Sequence, residues 1–303
     1  MTSVTVRAPA KVNLGLAVGA PRPDGFHDVA TAYHAISLHD ELVAADGDDL
    51  TISVTTADGL PLDDVPQDAS NLAVAAALAL AERAGVEPRA RLHLTKAIPV
   101  AGGMAGGSAD AAAALVACDA LWQTGLARTE LLEIAGELGS DVPFSLVGGT
   151  ALGTGRGEVL TPVLARGRFE WVVAVADGGL STPTVYAECD RLRGDLAVLE
   201  PRVSDALMAA LRAGDAVALG AALHNDLEDA ACSLRPELRE TLRTGAQAGA
   251  LGGQVSGSGP SVVFLALGKE HAIDIAVALS ATGTCRSVRR AYGPVAGARV
   301  VGA

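Results

Sequence analysis

The sequence predicts an α+β fold in two domains, on three observations. The chain has 303 residues, room for two domains at roughly 150 residues each. Half of the residues are hydrophobic but only 3% are aromatic, so a sizeable core is available and Ala, Val and Leu must build it. Segments of strand period and of helix period alternate in both halves without the strict rhythm of a doubly wound parallel sheet. A boundary near residues 162–168 gives domains 1–163 and 164–303.

In chain order, residues 4–7 alternate as a strand, and 8–16 continue with apolar Val12, Leu14 and Leu16 on one face. Pro21-Arg22-Pro23-Asp24-Gly25 is a turn. Residues 50–55 alternate again, and the polar, proline-containing 58–68 is a loop. Ser70 or Asn71 caps a helix over 72–84 that Gly85 ends. A strand over 90–95 leads into a glycine-rich loop; the helix after it runs to about Trp122, and another covers about 130–138 and stops at Gly139. Pro143 disfavours helix at Val142, which places Asp141 in a tight, restricted segment. The glycine-rich stretch 148–157 has room for a short strand, and 170–176 is a strand of buried type. Helices follow over about 184–193, 202–213, 216–227 and 237–248. A glycine-serine turn, 256–261, opens onto apolar 262–267, and a helix over about 270–281 and a strand over 287–291 close the chain.

The composition excludes several classes. Asp and Glu outnumber Lys and Arg 35 to 23, a formal charge of −12, which disfavours sequence-independent binding to nucleic acid. It does not disfavour a nucleotide, whose phosphates a glycine loop holds through backbone amides. Cys118, Cys189, Cys232 and Cys285 are far apart with no C-x-x-C pair, which points to buried reduced thiols rather than zinc or disulfides. The histidines at 34, 39, 93, 224 and 271 have no metal-ligand spacing. No window holds the ~18 uninterrupted apolar residues of a membrane span, and residues 1–7 lack a signal peptide's apolar core. A soluble cytoplasmic protein with no membrane partner is expected.

Chemistry concentrates in Pro99-Val100-Ala101-Gly102-Gly103-Met104-Ala105-Gly106-Gly107-Ser108-Ala109, which opens onto an alanine-rich helix. A glycine loop at a helix N-terminus is a phosphate cradle: glycine permits close approach, the first helical N–H groups lack intrahelical partners, and the helix dipole favours an anion. The spacing of Gly102 to Gly107 matches a Walker loop, but Ser108 stands where its lysine belongs. If the loop holds phosphates, amides, Ser108, a metal and a remote side chain must neutralise them; a glycine-rich turn serving only tight helix packing is the plainer alternative. Only three lysines occur, Lys11, Lys96 and Lys269. Asp141 is a candidate general base, with a turn or N-cap aspartate as the plainer alternative. Lys11 is costly to bury unless paired; should it meet Asp141, the ammonium would keep the carboxylate ionised and stabilise charge developing on an acceptor hydroxyl. Phe26 and His27 follow a turn and suit a flat base. The turn 256–261 is either a second anion nest or a plain hairpin.

Three segments together resemble the GHMP kinases, a superfamily of small-molecule kinases with a left-handed βαβ element in place of a P-loop: Ala8-Pro9-Ala10-Lys11-Val12-Asn13-Leu14, residues 99–109, and Val255-Ser256-Gly257-Ser258-Gly259-Pro260-Ser261. The resemblance covers nearly the whole chain. It implies an N-terminal ribosomal-S5-domain-2-like α+β domain, a C-terminal ferredoxin-like α/β sandwich, and ATP with Mg²⁺ bound in the cleft between them. Arg22-Pro23-Asp24-Gly25-Phe26-His27 and Leu138-Gly139-Ser140-Asp141-Val142-Pro143-Phe144 resemble the branch whose acceptor is an alcohol linked to cytidine diphosphate, in isoprenoid precursor synthesis. By that resemblance Lys11 and Asp141 are the catalytic pair, with Asp141 as base. Residues 99–109 hold ATP phosphates, Asn13, Phe26 and His27 surround the cytidine and acceptor, and Tyr186 stacks on the cytosine. Position 26 is commonly tyrosine in that branch, so Phe26 keeps the stacking face and lacks one hydroxyl. The resemblance leaves the magnesium ligands unassigned. A homoserine or sugar kinase and a non-catalytic ligand sensor are the alternatives; the aromatic positions 26 and 186 argue against the first, and retention of both Lys11 and Asp141 against the second.

Overall fold

The computed structural model describes residues 2–57, 62 and 65–301. Its first elements are two 19-residue strands, β1 (Ser3–Pro21) and β2 (His27–Ala45), joined by the predicted turn and paired antiparallel along their length. Strand β3 (Thr51–Thr56), helix α1 (Leu72–Ala84) and strand β4 (Arg91–Lys96) follow, with β3 and β4 parallel. Of the loop expected over 58–68, residues 58–61, 63 and 64 lie outside the described residues. Asn71 is the cap of α1, accepting from Ala73 N, and Gly85 ends the helix in the left-handed conformation. Next come α2 (Gly106–Trp122), α3 (Arg128–Leu138), α4 (Val142–Val147), β5 (Thr150–Thr154) and β6 (Val159–Pro162).

The remaining elements are β7 (Phe169–Val175), α5 (Thr182–Arg193), α6 (Asp205–Ala213), α7 (Ala216–Ala222), β8 (His224–Asn225), α8 (Glu228–Leu234), α9 (Glu237–Gln247), β9 (Gly252–Val255), β10 (Val262–Ala266), α10 (Lys269–Thr282), β11 (Ser287–Gly293) and β12 (Arg299–Val300). One sheet runs β12-β1-β2-β4-β3, with β5 and β6 branching from β2 and β8 added parallel to β1. The other runs β11-β7-β10-β9, antiparallel throughout, with helices between β7 and β9 and between β10 and β11. That is the split β-α-β-β-α-β arrangement of a ferredoxin-like layer, so the α+β reading holds.

Helix α2 lies against β1, β2 and α1, and buries Ala109 and residues 111–115 among others. Alanine suits this place twice over: it is the best helix former, and its single methyl lets the helix sit close to the sheet. From Trp171 to Val175, strand β7 reads as an unbroken apolar run because both its faces are covered. Trp171 and Val173 face the core of the first sheet, Val172 and Ala174 the helices of the second.

Several expectations needed correction. Residues 4–7 and 8–16 are one strand, and β2 was not anticipated. Pro143 does not delay the helix: α4 begins at Val142, with the proline in its first turn, where the missing N–H has no intrahelical partner to lose. The helix expected over 216–227 stops at Ala222. Asn225 there donates to Val255 O and Gly257 O and accepts from Leu227 N, which pins the segment to β1 and the 256–261 turn and starts α8 anew.

Candidate active site

A cleft of about 680 Å³ is lined by the 99–108 loop, the face of β1 and β2, and α5. β1 places Lys11 and Asn13 two residues apart, hence on one face, and its register sets Asn13 opposite Tyr33 of β2. A β-bulge lies between Asn13 and Gly15, the kind of irregularity that re-aims side chains beside a site. Lys11 is nearly buried, so the edge-exposed alternative is excluded. Its Nζ lies 3.6 Å from Asp141 Oδ2 and donates to Asn13 Oδ1 at 2.7 Å. Asn13 Nδ2 donates to Thr31 Oγ1 at 2.7 Å, and that hydroxyl donates to Gly15 O at 2.8 Å. Asp141 stands at the N-cap position of α4 but makes no capping bond; its Oδ1 instead accepts from Tyr33 Oη at 2.8 Å. The carboxylate is therefore aimed into the cleft and not spent on the helix.

The glycine loop meets the cleft through Pro99, Ala101, Gly102, Gly103, Ala105, Gly106, Gly107 and Ser108. Val100, Met104 and Ala109 do not line it; Met104 and Ala109 are buried in the core, and Met104 contributes its carbonyl, which accepts from Lys11 N. Ala101 and Ala105 adopt left-handed conformations, φ 50° and 58°, each a strain of about 1–3 kcal/mol for a residue with a Cβ. The surroundings impose that shape. A Cβ on Gly103 (φ +75°) would lie 1.9 Å from Ser256 O, so the loop is pressed onto the 256–261 turn, whose Ser256 Oγ donates to Gly103 O. That turn joins β9 to β10 as a hairpin and also brings Gly257 and Ser258 to the cleft. Behind the loop, the Lys96 ammonium donates to Asp40 and Asp110, all three buried, while Asp40 Oδ1 accepts from Ala97 N and Ile98 N at 2.6 and 2.8 Å.

At the other end, His27 Nε2 lies 3.0 Å from Asp190 Oδ1, and its ring is 5.0 Å from that of Tyr186. Phe26 is 51% exposed and open to a stacking partner, with the Arg156 guanidinium 5.2 Å over its ring. Burial, with Asp141's charge as a lesser cause, pushes the Tyr186 phenol up. Phe26, His27 and Tyr186 thus line the same cleft as Lys11 and Asp141. Among the described residues no group of three or more His, Cys, Asp or Glu is placed to hold a metal ion, and no helix is long and apolar enough to cross a membrane. Cys118, Cys189 and Cys232 are buried and free, and Cys285 is free and half-buried.

The sequence reading missed Thr31, Tyr33, Arg156 and Asp190. The period-2 polar pair Thr31 and Tyr33, in a stretch without turn residues, was the available signal for the first two. Asp190 falls one helical turn after Tyr186.

Comparison with known proteins gives the same picture. Residues 71–149 match the GHMP kinases N terminal domain and residues 207–285 the GHMP kinases C terminal model. The chain is 62% identical to a 4-diphosphocytidyl-2-C-methyl-D-erythritol kinase of Salinispora tropica, over 98% of this chain and 94% of that one. It is 58% identical to one of Streptomyces avermitilis over 99% and 100%. A crystal structure of 4-(cytidine 5'-diphospho)-2C-methyl-D-erythritol kinase superposes with a TM-score of 0.78 at 34% identity, covering 95% of this chain and 98% of that one. A homoserine kinase from Cytophaga hutchinsonii, 21% identical with a TM-score of 0.75 over 99% and 98% of the chains, shares the fold. The chain belongs to the GHMP kinases and, within them, to the family of 4-diphosphocytidyl-2-C-methyl-D-erythritol kinases.

Proposed function

We propose that the protein transfers the γ-phosphoryl group of ATP to the 2-hydroxyl of 4-diphosphocytidyl-2-C-methyl-D-erythritol, a step of isoprenoid precursor synthesis. The observation that carries this reading is the Lys11–Asp141 pair, 3.6 Å apart, in a cleft that the glycine loop and the Phe26, His27 and Tyr186 rings also line. Phosphoryl transfer asks the protein chiefly for positioning and charge stabilisation. Asp141 orients the acceptor hydroxyl and takes its proton. Lys11, beside that carboxylate, stabilises the oxygen as it attacks. The amides of residues 102–108 hold the nucleotide's phosphates in line. A cytosine base packs against Phe26 and Tyr186, which a homoserine or sugar acceptor would leave unused. Mg²⁺ would be held chiefly by the nucleotide's phosphates, and Ser108, in the first turn of α2 and lining the cleft, is the protein group that would share it. When bound, it neutralises phosphate charge.

The test is ADP release measured with the cytidyl acceptor, homoserine and galactose in parallel. Turnover with the cytidyl acceptor alone is expected, and release with homoserine or galactose but not the cytidyl compound would overturn the assignment. Asp141→Asn is expected to lower kcat by roughly 10²–10⁴ while ATP still binds.

A further inference from the structure

Packing explains the ring of Tyr33 but not its hydroxyl. The residue is 3% exposed and its ring stacks on Phe144, centroids 4.8 Å apart at 26°; a phenylalanine would fill that place as well. The phenol end sits in a slot that exists because two neighbours lack side chains. A Cβ on Gly153 would lie 2.5 Å from Tyr33 Cε2, and one on Gly157 2.3 Å from the phenol oxygen. From this slot the hydroxyl reaches Asp141 Oδ1 at 2.8 Å, while Lys11 approaches Oδ2. The two carboxylate oxygens thus have different partners, and rotation of the carboxylate would break both contacts.

We propose that Tyr33 is a positioning residue for phosphoryl transfer: its hydroxyl holds Asp141 Oδ1 so that Oδ2, beside Lys11, is the oxygen presented to the acceptor hydroxyl. This rests on Asp141 being the base. Burial first, and Asp141's charge second, hold the Tyr33 phenol well above the ordinary tyrosine range, so its proton stays on the oxygen and Tyr33 donates without competing as a base. The bond is charge-assisted, the stronger kind of hydrogen bond.

Tyr33→Phe keeps the ring and removes the donor. It is expected to lower kcat by about tenfold, the size of one hydrogen bond to a charged group, with KM for ATP and for the cytidyl acceptor each within about twofold of wild type. Gly157→Ala pushes on the phenol oxygen from the other side. It should lower kcat in the wild-type background and do so much less in the Tyr33→Phe background, where that oxygen is gone. An unchanged kcat in Tyr33→Phe overturns the proposal, as does a fall accompanied by a matching rise in both KM values. An equal effect of Gly157→Ala in the two backgrounds also overturns it, because the loop and not the hydroxyl is then responsible. The base assignment fails separately: near-normal turnover by Asp141→Asn removes it, whereas an inactive Asp141→Asn with an unimpaired Tyr33→Phe removes only the role of Tyr33.

Discussion

Lys11 lies 3.6 Å from a carboxylate whose side chain is 27% exposed. Lys96, by contrast, is enclosed with Asp40 and Asp110, none of the three side chains more than 5% exposed. The two lysines start from the same chemistry, an ammonium beside aspartate in a sheet of the same core. They differ in what is left unsatisfied. Around Lys96 the ammonium is shared between two carboxyls, and Asp40 also binds the backbone of Ala97 and Ile98; that cluster ties β4 to α2 and gives the glycine loop a fixed base. Around Lys11 the contact is looser and faces the cleft, which leaves the ammonium and Asp141 Oδ2 able to meet a substrate. A closed cluster supplies structure, and the open pair is the one we propose for reactivity.

Substitutions can break this contrast. Lys96→Met leaves two buried carboxyls without their cation and is expected to cost about 3–5 kcal/mol of stability, read as a lower urea midpoint at unchanged slope. A loss under about 1 kcal/mol would make the cluster no more structural than a surface pair. Lys11→Met is expected to lower kcat by about 10²–10³ while the urea midpoint stays near wild type, since Asp141 keeps access to water. A destabilisation as large as that of Lys96→Met would erase the distinction. The smallest effect is expected of Asp110→Asn, within about 1 kcal/mol near neutral pH, and its value lies in the pH profile. Burial, then the charge of Asp40, holds the Asp110 carboxyl well above its ordinary 3.8. Between the ordinary value and the raised one, the folded protein binds a proton there more readily than the unfolded chain does. The stability this contributes is complete below the ordinary value and is lost as pH rises through the folded one. Wild type should therefore lose stability with rising pH relative to Asp110→Asn, and parallel urea midpoints across pH would refute the enclosed-carboxyl account.

The same contrast shows how much could be read in advance. Lys11, Asp141 and the glycine loop carry local signals: a lysine in an apolar alternation, an aspartate before a proline, glycines before an alanine-rich helix. Lys96 stood out only as one of three lysines, because its partners are 56 and 14 residues away and nothing local announces them. Tyr33 was missed for a related reason. The role proposed for it depends on Asp141, 108 residues on, and on a slot made by glycines of another strand and turn. Val100, Met104 and Ala109 of the same motif do not line the cleft, and the turn of the backbone directs Met104 and Ala109 into the core.

What the sequence determined by itself is everything set within a few residues. Helix α1 runs from its asparagine cap to its left-handed glycine as expected, and the helix after the glycine loop, the apolar β7 and the order of the motifs were all legible, because caps, periodicity and backbone freedom act over one or two turns. The tertiary structure alone decided that β1 and β2 are single 19-residue strands, that the helix expected over 216–227 is broken by Asn225, and that one oxygen of Asp141 faces Tyr33 while the other faces Lys11. Those outcomes depend on partners brought together by strand pairing and core burial, which outweigh local preference wherever the two disagree.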